Sequence, residues 1–269
     1  FTKGTSKIIF GYTGGDKTID AGSNEFHNVE FIRPDARWTL QSDLTASGTV
    51  AVQAGTLNLG GHTLSGTGSN ALTVDQSGVL AGSGTLSGLA TTIQGVLSPG
   101  SSPGVMTVDG GSMAWAGAGS YAWQLYDATG AAGSGWDLVN VRNGADLDIT
   151  ATSGSKFTID IYGLSAVNPD VAGEPLNFTK SQAYAWLLVD YSAGSGYTAG
   201  TVTGFNEYDF SFAIHDIADV TADNFSVYLD TDLKGLFIKY EAGSQDIWNG
   251  SEGNWATAGN WSGGVPTID

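Results

Sequence analysis

Apolar residues recur in residues 40–108 with a period of about 20, and this repeat constrains the fold more than any other feature of the sequence. Three tracks share the period: Leu64, Leu86 and Met106; Val52, Val74 and Ile93; and Leu57, Val79 and Val96. A repeat of this length with three short strands predicts a β-solenoid, because each coil buries its inward side chains against the coils above and below. The alternative is a β-sandwich whose strands are evenly spaced.

Glycine content and strand patterning both favour an all-β chain. The 269 residues include 40 glycines, and each glycine inside a helix costs about 1 kcal/mol. Short segments that alternate apolar and polar residues, such as 49–52, 156–161 and 236–240, are bounded by turn-forming residues. We expect these inward-pointing core residues in stacked rungs: Leu57, Leu64, Leu72, Val74, Leu86, Ile93 and Met106.

The strand pattern divides the chain into three parts. Residues 1–110 carry the rungs of about 20 residues. Residues 111–242 contain longer, more aromatic strands, which predict either wider rungs or a sheet that caps the end of the solenoid. Residues 243–269 are rich in Trp and Gly. No flexible linker is expected near residue 110, because no polar low-complexity stretch separates the parts.

Three segments give the chain a family likeness: the Gly-Thr-Leu-x-Leu rungs of residues 48–66, the two Pro-Gly turns of 97–104, and the Gly-Trp-Asp-Leu element within 133–138. With these motifs the sequence resembles the autotransporter-associated β-strand repeat proteins of bacteria. The resemblance implies a secreted or surface-anchored, right-handed parallel β-helix. It also implies an extracellular or cell-surface location and a structural or adhesive role, with no shared catalytic site.

The two ends of the sequence suggest self-association. Residues 247–266 resemble the opening of such a β-helical unit and carry Trp248, Trp255 and Trp261, whereas Ile8, Ile9 and Phe10 read as an interior strand. We therefore expect one unit of a tandem array, or a subunit that docks end to end with copies of itself. The alternative is a fragment cut at arbitrary positions.

Composition excludes several classes of function. Ten Lys and Arg against 27 Asp and Glu give a net charge of −17, which would repel nucleic acid. Zero cysteines remove thiolate catalysis, disulfides and Cys-ligated zinc. No run of 18 apolar residues occurs, so no membrane-spanning helix is expected in this segment.

No catalytic residue, metal site or cofactor is predicted. Residues 100–104 match the nucleophile-elbow pattern around Ser102, but the elbow needs a helix after the Ser, and Pro103 with the surrounding glycines favours a turn. The histidines His27, His62 and His215 lack metal-ligand spacing. Two acidic clusters could offer oxygen ligands to Ca²⁺ but are more typical of solvated loops: Asp216, Asp219 and Asp223, and Asp230 with Asp232.

A carbohydrate-binding or glycan-cleaving β-helix is the rival hypothesis, with surface glycans as partners. Exposed aromatic rings could stack on sugars, but the three arginines, Arg33, Arg37 and Arg142, offer few cations for cleaving acidic glycans. Four glycosylation sequons occur, at Asn177, Asn224, Asn249 and Asn260. They are compatible with export and establish no function.

Overall fold

The computed structural model describes residues 5–12, 14–67, 70–100 and 102–242. Within these ranges the regular structure is almost entirely strand, and the prediction of an all-β chain is confirmed. Two short 3-10 helices, Glu207–Asp209 and Ala222–Asn224, lie among the later strands. No helix of the described residues is long and apolar enough to cross a membrane.

The strands follow one another at short intervals along the chain. The earlier ones are β1 Lys7–Phe10, β2 Gly15–Ile19, β3 Glu25–Phe26, β4 Asn28–Leu40, β5 Leu44–Ala46, β6 Val50–Asn58, β7 Thr63–Gly66, β8 Ala71–Gly82, β9 Gly84–Ser87, β10 Ala90–Ile93, β11 Val96–Pro99 and β12 Val105–Asp109. The later ones are β13 Ser112–Trp115, β14 Ser120–Leu125, β15 Leu138–Arg142, β16 Asp146–Ile149, β17 Phe157–Ala166, β18 Val171–Ala172, β19 Tyr184–Asp190, β20 Thr201–Thr203, β21 Phe210–His215, β22 Phe225–Asp230 and β23 Gly235–Tyr240.

Parallel pairing arranges most of these strands in three stacks. Stack 1 contains β1, the first parts of β4, β6 and β8, and then β10, β13, β16 and β20. Stack 2 contains β2, the second parts of β4, β6 and β8, and then β11, β14, β17 and β21. Stack 3 contains β3, β5, β7, β9, β12, β15 and β19. The chain visits stacks 1, 2 and 3 in this order repeatedly, and we call each round a pass.

Neighbouring strands of the early passes are separated by about twenty residues of chain. The hydroxyls of Thr45 and Ser65, 20 residues apart, share a hydrogen bond of 2.9 Å. The backbone N–H of Thr49 donates to the side-chain oxygen of Asn28, 21 residues earlier. This interval is the period predicted from the apolar tracks.

Alternate strand residues point between the stacks and form a continuous buried core. The prediction of the inward residues is confirmed, since these seven are at most 1% exposed: Leu57, Leu64, Leu72, Val74, Leu86, Ile93 and Met106. Val52, Val74 and Ile93 also pair directly, as their track predicts. Each buried aliphatic side chain of this kind stabilises the fold by roughly 1.5–3 kcal/mol.

The track through stack 3 is wrong at its third member. Leu64 pairs with Leu86, but Leu86 pairs with Val108, and Met106 lies opposite Gly84. Met106 and Val108 are two residues apart on β12 and both face the core. A period counted from the sequence does not distinguish two inward positions of one strand.

The track through stack 2 is wrong by one residue. Leu57 pairs with Leu80, which pairs with Leu97, whereas Val79 pairs with Val96. The three leucines are buried, and the two valines remain partly exposed on the other face. The cause is a bulge, because β8 carries one residue more than β6 between their flanking register pairs.

Glycines line the edge where stack 1 meets stack 2. Four successive passes place Gly55, Gly78, Gly95 and Gly119 there, and a Cβ atom on any of them would meet a backbone carbonyl oxygen of the preceding pass. Of the four, Gly55 alone has a positive φ, at 79°. Close approach of stacked backbones therefore explains this glycine column better than turn conformation does.

Strand pairing continues across residue 110, but the later passes contain longer connections. The side-chain amide of Asn143 donates to the carboxylate of Asp109, 34 residues earlier, and the hydroxyls of Thr158 and Ser211 meet although they are 53 residues apart. The added residues form loops between strands that still belong to the three stacks.

Aromatic side chains fill the core of these longer passes. Trp115, Trp123 and Trp186 are almost fully buried, and Trp115 stacks on Phe157 with ring centroids 4.8 Å apart. The larger rings fill the wider space that longer passes enclose.

Antiparallel pairing appears at the far end, so the sheets are mixed and the expectation of purely parallel strands is wrong there. β23 pairs antiparallel with both β19 and β22, and β18 pairs antiparallel with β17. The turn of residues 231–234 joins β22 directly to β23, and a connection this short allows only an antiparallel hairpin.

Candidate functional site

The end of the stacks at β1 and β2 presents strand edges. Both strands pair with β4, and in the part of the chain that the structure describes no strand pairs with their other edges. Lys7 forms an ion pair of 2.6 Å with Glu30, and the Arg33 guanidinium donates to the Gly11 carbonyl at 2.7 Å. These contacts hold the first strand on the stack.

The predicted association residues of β1 divide between two faces. Ile8 and Phe10 turn towards the core but stay only half-buried, whereas Ile9 is 53% exposed. The Phe10 ring stacks on Phe31 with centroids 4.9 Å apart and lies 5.0 Å from the Trp38 ring. The last layer of the core is therefore partly uncovered at this end.

The backbone direction at β1 follows from one hydrogen bond, in which the N–H of Asn28 donates to the carbonyl of Ser6 at 3.4 Å. Along a parallel ladder, successive residues direct their N–H and C=O groups to opposite sides. Ile8 therefore bonds towards β4, and Ile9 directs its N–H and C=O groups to the open edge. The remaining predicted association residues, Trp248, Trp255 and Trp261, lie outside the described residues.

The opposite end of the core is covered by aromatic residues. Phe205 and Phe212 pack against the core, the Phe212 ring lies 6.1 Å from Phe225, and the Phe225 ring lies 5.3 Å from Tyr240. These rings cover apolar core at that end, where β20, β21 and β22 each pair with only one strand of the described residues. The two ends of the described structure therefore differ in chemistry.

The structure does not bring the histidines together. The ring nitrogens of His62 and His215 lie 3.7 Å from Asp43 and Asp160, respectively, and His27 has a different neighbour, Ser47. Within the described ranges no group of three His, Asp or Glu side chains could hold a metal ion.

Members of both acidic clusters have polar partners in the structure. The Asp230 carboxylate accepts hydrogen bonds from the N–H groups of Asp232 and Leu233, which stabilises the turn between β22 and β23. Asp219 lies 3.5 Å from the ammonium of Lys180. Asp230 is the last residue of β22 and Asp219 lies between β21 and the second 3-10 helix, and the interpretation of both clusters as solvated loops stays a prediction.

The elbow-like motif is a turn between strands. Gly100 and Ser102 both have positive φ, and the chain continues into the strand β12 instead of a helix. The Ser102 hydroxyl is buried without a hydrogen-bond partner among the described residues. A buried hydroxyl followed by a strand cannot act as an exposed nucleophile of the elbow type.

Asp137 links two of the motifs described above, the Pro-Gly turns of 97–104 and the Gly-Trp-Asp-Leu element of 133–138. The sequence did not predict this link. Asp137 is 0% exposed, and its carboxylate accepts hydrogen bonds from the N–H of Gly104 at 2.7 Å and of Gln124 at 3.0 Å. Gly104 ends the second Pro-Gly turn, and Asp137 belongs to the Gly-Trp-Asp-Leu element. The only signal in the sequence was the presence of a charged residue in an aromatic strand region.

Burial is the main cause of the shifted pKa values of Asp137 and its neighbour Tyr121. Desolvation raises the pKa of Asp137 well above its ordinary value, against the lowering effect of its two N–H donors. Desolvation, and then the nearby charge of Asp137, likewise raise the pKa of Tyr121. Because solvent does not reach Asp137, we interpret it as a structural carboxyl group and not a catalytic one.

An open cleft of about 1020 Å³ lies between residues 174–181 and 219–224. The Lys180 ammonium lies 3.3 Å from Glu174 and 3.5 Å from Asp219. Burial acts to lower the pKa of Lys180, but the hydrogen bonds and charges of these carboxylates outweigh it and raise that pKa. The ammonium therefore links the two sides of the cleft.

Two of the four sequon asparagines are described, and both amides form internal hydrogen bonds. The Asn177 side chain donates to Asp127 at 2.8 Å, and the Asn224 side chain donates to the Glu241 carbonyl at 3.2 Å. Asn249 and Asn260 lie outside the described residues.

A scan against protein-family models and a search of curated proteins both find no match for this chain.

Proposed function

We propose that this chain is a β-solenoid unit of a bacterial extracellular fibre, stalk or matrix, and that it associates end to end with copies of itself. Support for the solenoid comes from the constant order of the three stacks and from the twenty-residue intervals of the early passes. Each pass of such a protein contacts mainly its neighbours, so the ends are the natural surfaces for growth.

The observation that carries the proposal is the outer edge of β1, with which no strand of the described residues pairs. Unpaired strand edges readily accept a further strand unless charge, proline or another segment blocks them. The one charged residue of β1, Lys7, is paired with Glu30, and the strand and the residues after it expose Ile9 and Tyr12, the latter to 65%. A strand added at this edge would gain backbone hydrogen bonds and would cover Ile8 and Phe10.

The occupant that we propose is residues 247–269 of a second copy. Trp248, Trp255 and Trp261 supply large rings of the kind that anchor protein interfaces. Because two different surfaces of one chain would meet, the contact would be heterologous and would propagate into an open filament.

The net charge of the chain opposes association, so a contact between copies has to rest on apolar side chains and backbone hydrogen bonds. Copies with a net charge of −17 repel each other at long range, and salt screens that repulsion beyond about 8 Å at physiological ionic strength. We therefore expect association to strengthen as salt is added. The extracellular location is supported by the family resemblance of the sequence.

Substitutions at Ile9 test the proposal. Ile9→Pro removes the N–H that points to the open edge and leaves the hydrogen bonds with β4 intact, whereas Ile9→Ala keeps that N–H as a matched control. By sedimentation velocity we expect concentration-dependent oligomers from the wild type and Ile9→Ala and monomers from Ile9→Pro. Monodisperse monomers of the wild type at every concentration and salt level would contradict the proposal.

A further inference from the structure

The cleft between residues 174–181 and 219–224 has a chemistry of its own, separate from the β1 edge. Glu174, Lys180, Asp219 and Asn224 contribute polar groups, and the rings of Phe178 and Tyr240 contribute apolar surface. Its volume of about 1020 Å³ is at the upper end of the range of small-molecule pockets. The space is sufficient for an oligomeric ligand.

The charges at the cleft narrow the class of ligand. Glu174 and Asp219 oppose an anion, as does the net charge of −17, and Lys180 between them opposes a cation. An apolar ligand would take water from these carboxylates and the ammonium without offering hydrogen bonds in its place. A neutral ligand with many hydroxyl groups can instead donate to the carboxylates and accept from the ammonium.

The aromatic part of the cleft is held firmly by its neighbours. Phe178 is partly buried, with its ring 5.0 Å from Tyr240 in an edge arrangement and 5.5 Å from Tyr184. The Tyr240 hydroxyl donates to the Lys180 carbonyl at 2.9 Å, so the apolar and charged parts of the wall are tied together. Such a preformed wall binds a ligand with little loss of side-chain entropy.

We propose that this cleft binds a neutral oligosaccharide. The C–H face of a sugar ring packs on Phe178, and its hydroxyl groups bond to Glu174, Lys180 and Asp219. No bond is formed or broken in this role. The site lies away from the β1 edge, so it does not depend on end-to-end association.

Saturation-transfer NMR with defined tetrasaccharides tests the site. The probes are fragments of β-1,4-glucan, β-1,3-glucan, α-1,4-glucan, β-1,4-mannan, β-1,4-xylan and chitin, with a galacturonic acid tetramer as the acidic comparison. The Ile9→Pro chain is used, so that the outcome is separate from that of the association. We expect saturable binding of at least one neutral probe at about 1 mM or below and weaker binding of the acidic one.

Three variants assign the binding to the cleft. Phe178→Ala should weaken it by about tenfold or more. Asp219→Ala should do so without unfolding the chain, because this side chain is 88% exposed. Tyr208→Ala is the control, since Tyr208 is an exposed aromatic residue outside the cleft. Absence of binding by every neutral probe, preference for the acidic probe, or unchanged binding in both cleft variants would overturn the proposal.

Discussion

At the scale of single residues, burial of Asp137 is the least expected feature of the molecule. Its carboxyl group holds Gly104 and Gln124 in place where the passes begin to lengthen. The Trp123 indole N–H also donates to the backbone carbonyl of Asp137 at 2.9 Å. The buried carboxyl group is tolerated because the N–H groups of Gly104 and Gln124 replace lost water.

The protonation of Asp137 predicts a dependence of stability on pH. Since its pKa is raised in the folded state above the ordinary value of 3.8, the folded chain holds a proton that the unfolded chain has released. The free energy of unfolding should therefore fall as the pH rises above about 4 towards that raised pKa. Urea unfolding at a series of pH values should give a shallower fall for Asp137→Asn.

Asp137→Asn also separates this effect from the general charge of the chain. The repulsion that accompanies the net charge of −17 grows with pH in both proteins. At acidic pH the variant should be less stable by about 1–3 kcal/mol, because one buried N–H loses its acceptor. If the free energy of unfolding changed with pH in the same way in the wild type and in Asp137→Asn, the raised pKa of Asp137 would be contradicted.

Leu80 and Val79 test the corrected inward track. Leu80→Ala should lower the free energy of unfolding by about 2–5 kcal/mol, because it opens a cavity in the core. Val79→Ala, one residue away on the partly exposed face, should cost much less. Chemical denaturation measures both, and equal losses would mean that the register of β8 is wrong.

At the scale of elements, the sequence predicted the strands and their interval but not all of their registers. Turn residues and alternation mark strands such as β6 and β8, and the apolar tracks mark their repeat. The bulge in β8 escaped prediction, because an extra residue leaves the local alternation on either side unchanged. The hairpin of β22 and β23 also escaped, since a strand pattern does not reveal the direction of its partner.

Two substitutions separate the two reasons for glycine in this fold, the close approach of stacked backbones and a backbone conformation with positive φ. Gly55→Ala would place a Cβ against the carbonyls of Arg33 and Ala36, whereas Gly61, with a φ of 89°, has nothing within 4 Å of such an atom. Gly61→Ala should therefore cost about 1–2 kcal/mol from backbone conformation alone, and Gly55→Ala should cost more. Thermal unfolding compares them; a smaller loss for Gly55→Ala would contradict the close packing of the passes.

At the scale of the whole molecule, the two ends of the stacks differ. Within the described residues both ends have strands with one unpaired edge, but packed aromatic rings cover the core near β22 and β23, whereas Phe10 stays half-buried beside β1 and β2. The sequence correctly placed Ile8, Ile9 and Phe10 in a strand, and their role in association stays a prediction. It did not predict the cleft, which depends on loops brought together from distant passes.

Photo-crosslinking from position 9 tests end-to-end association most directly. Ile9 is replaced by the photoreactive residue benzoylphenylalanine, unlabelled and ¹⁵N-labelled copies are mixed, and mass spectrometry identifies the crosslinked peptides. Our account predicts crosslinks between labelled and unlabelled copies that join position 9 to residues 247–269. Crosslinks confined to single copies, or contacts between copies that involve only position 9 and its own β1 region, would contradict it.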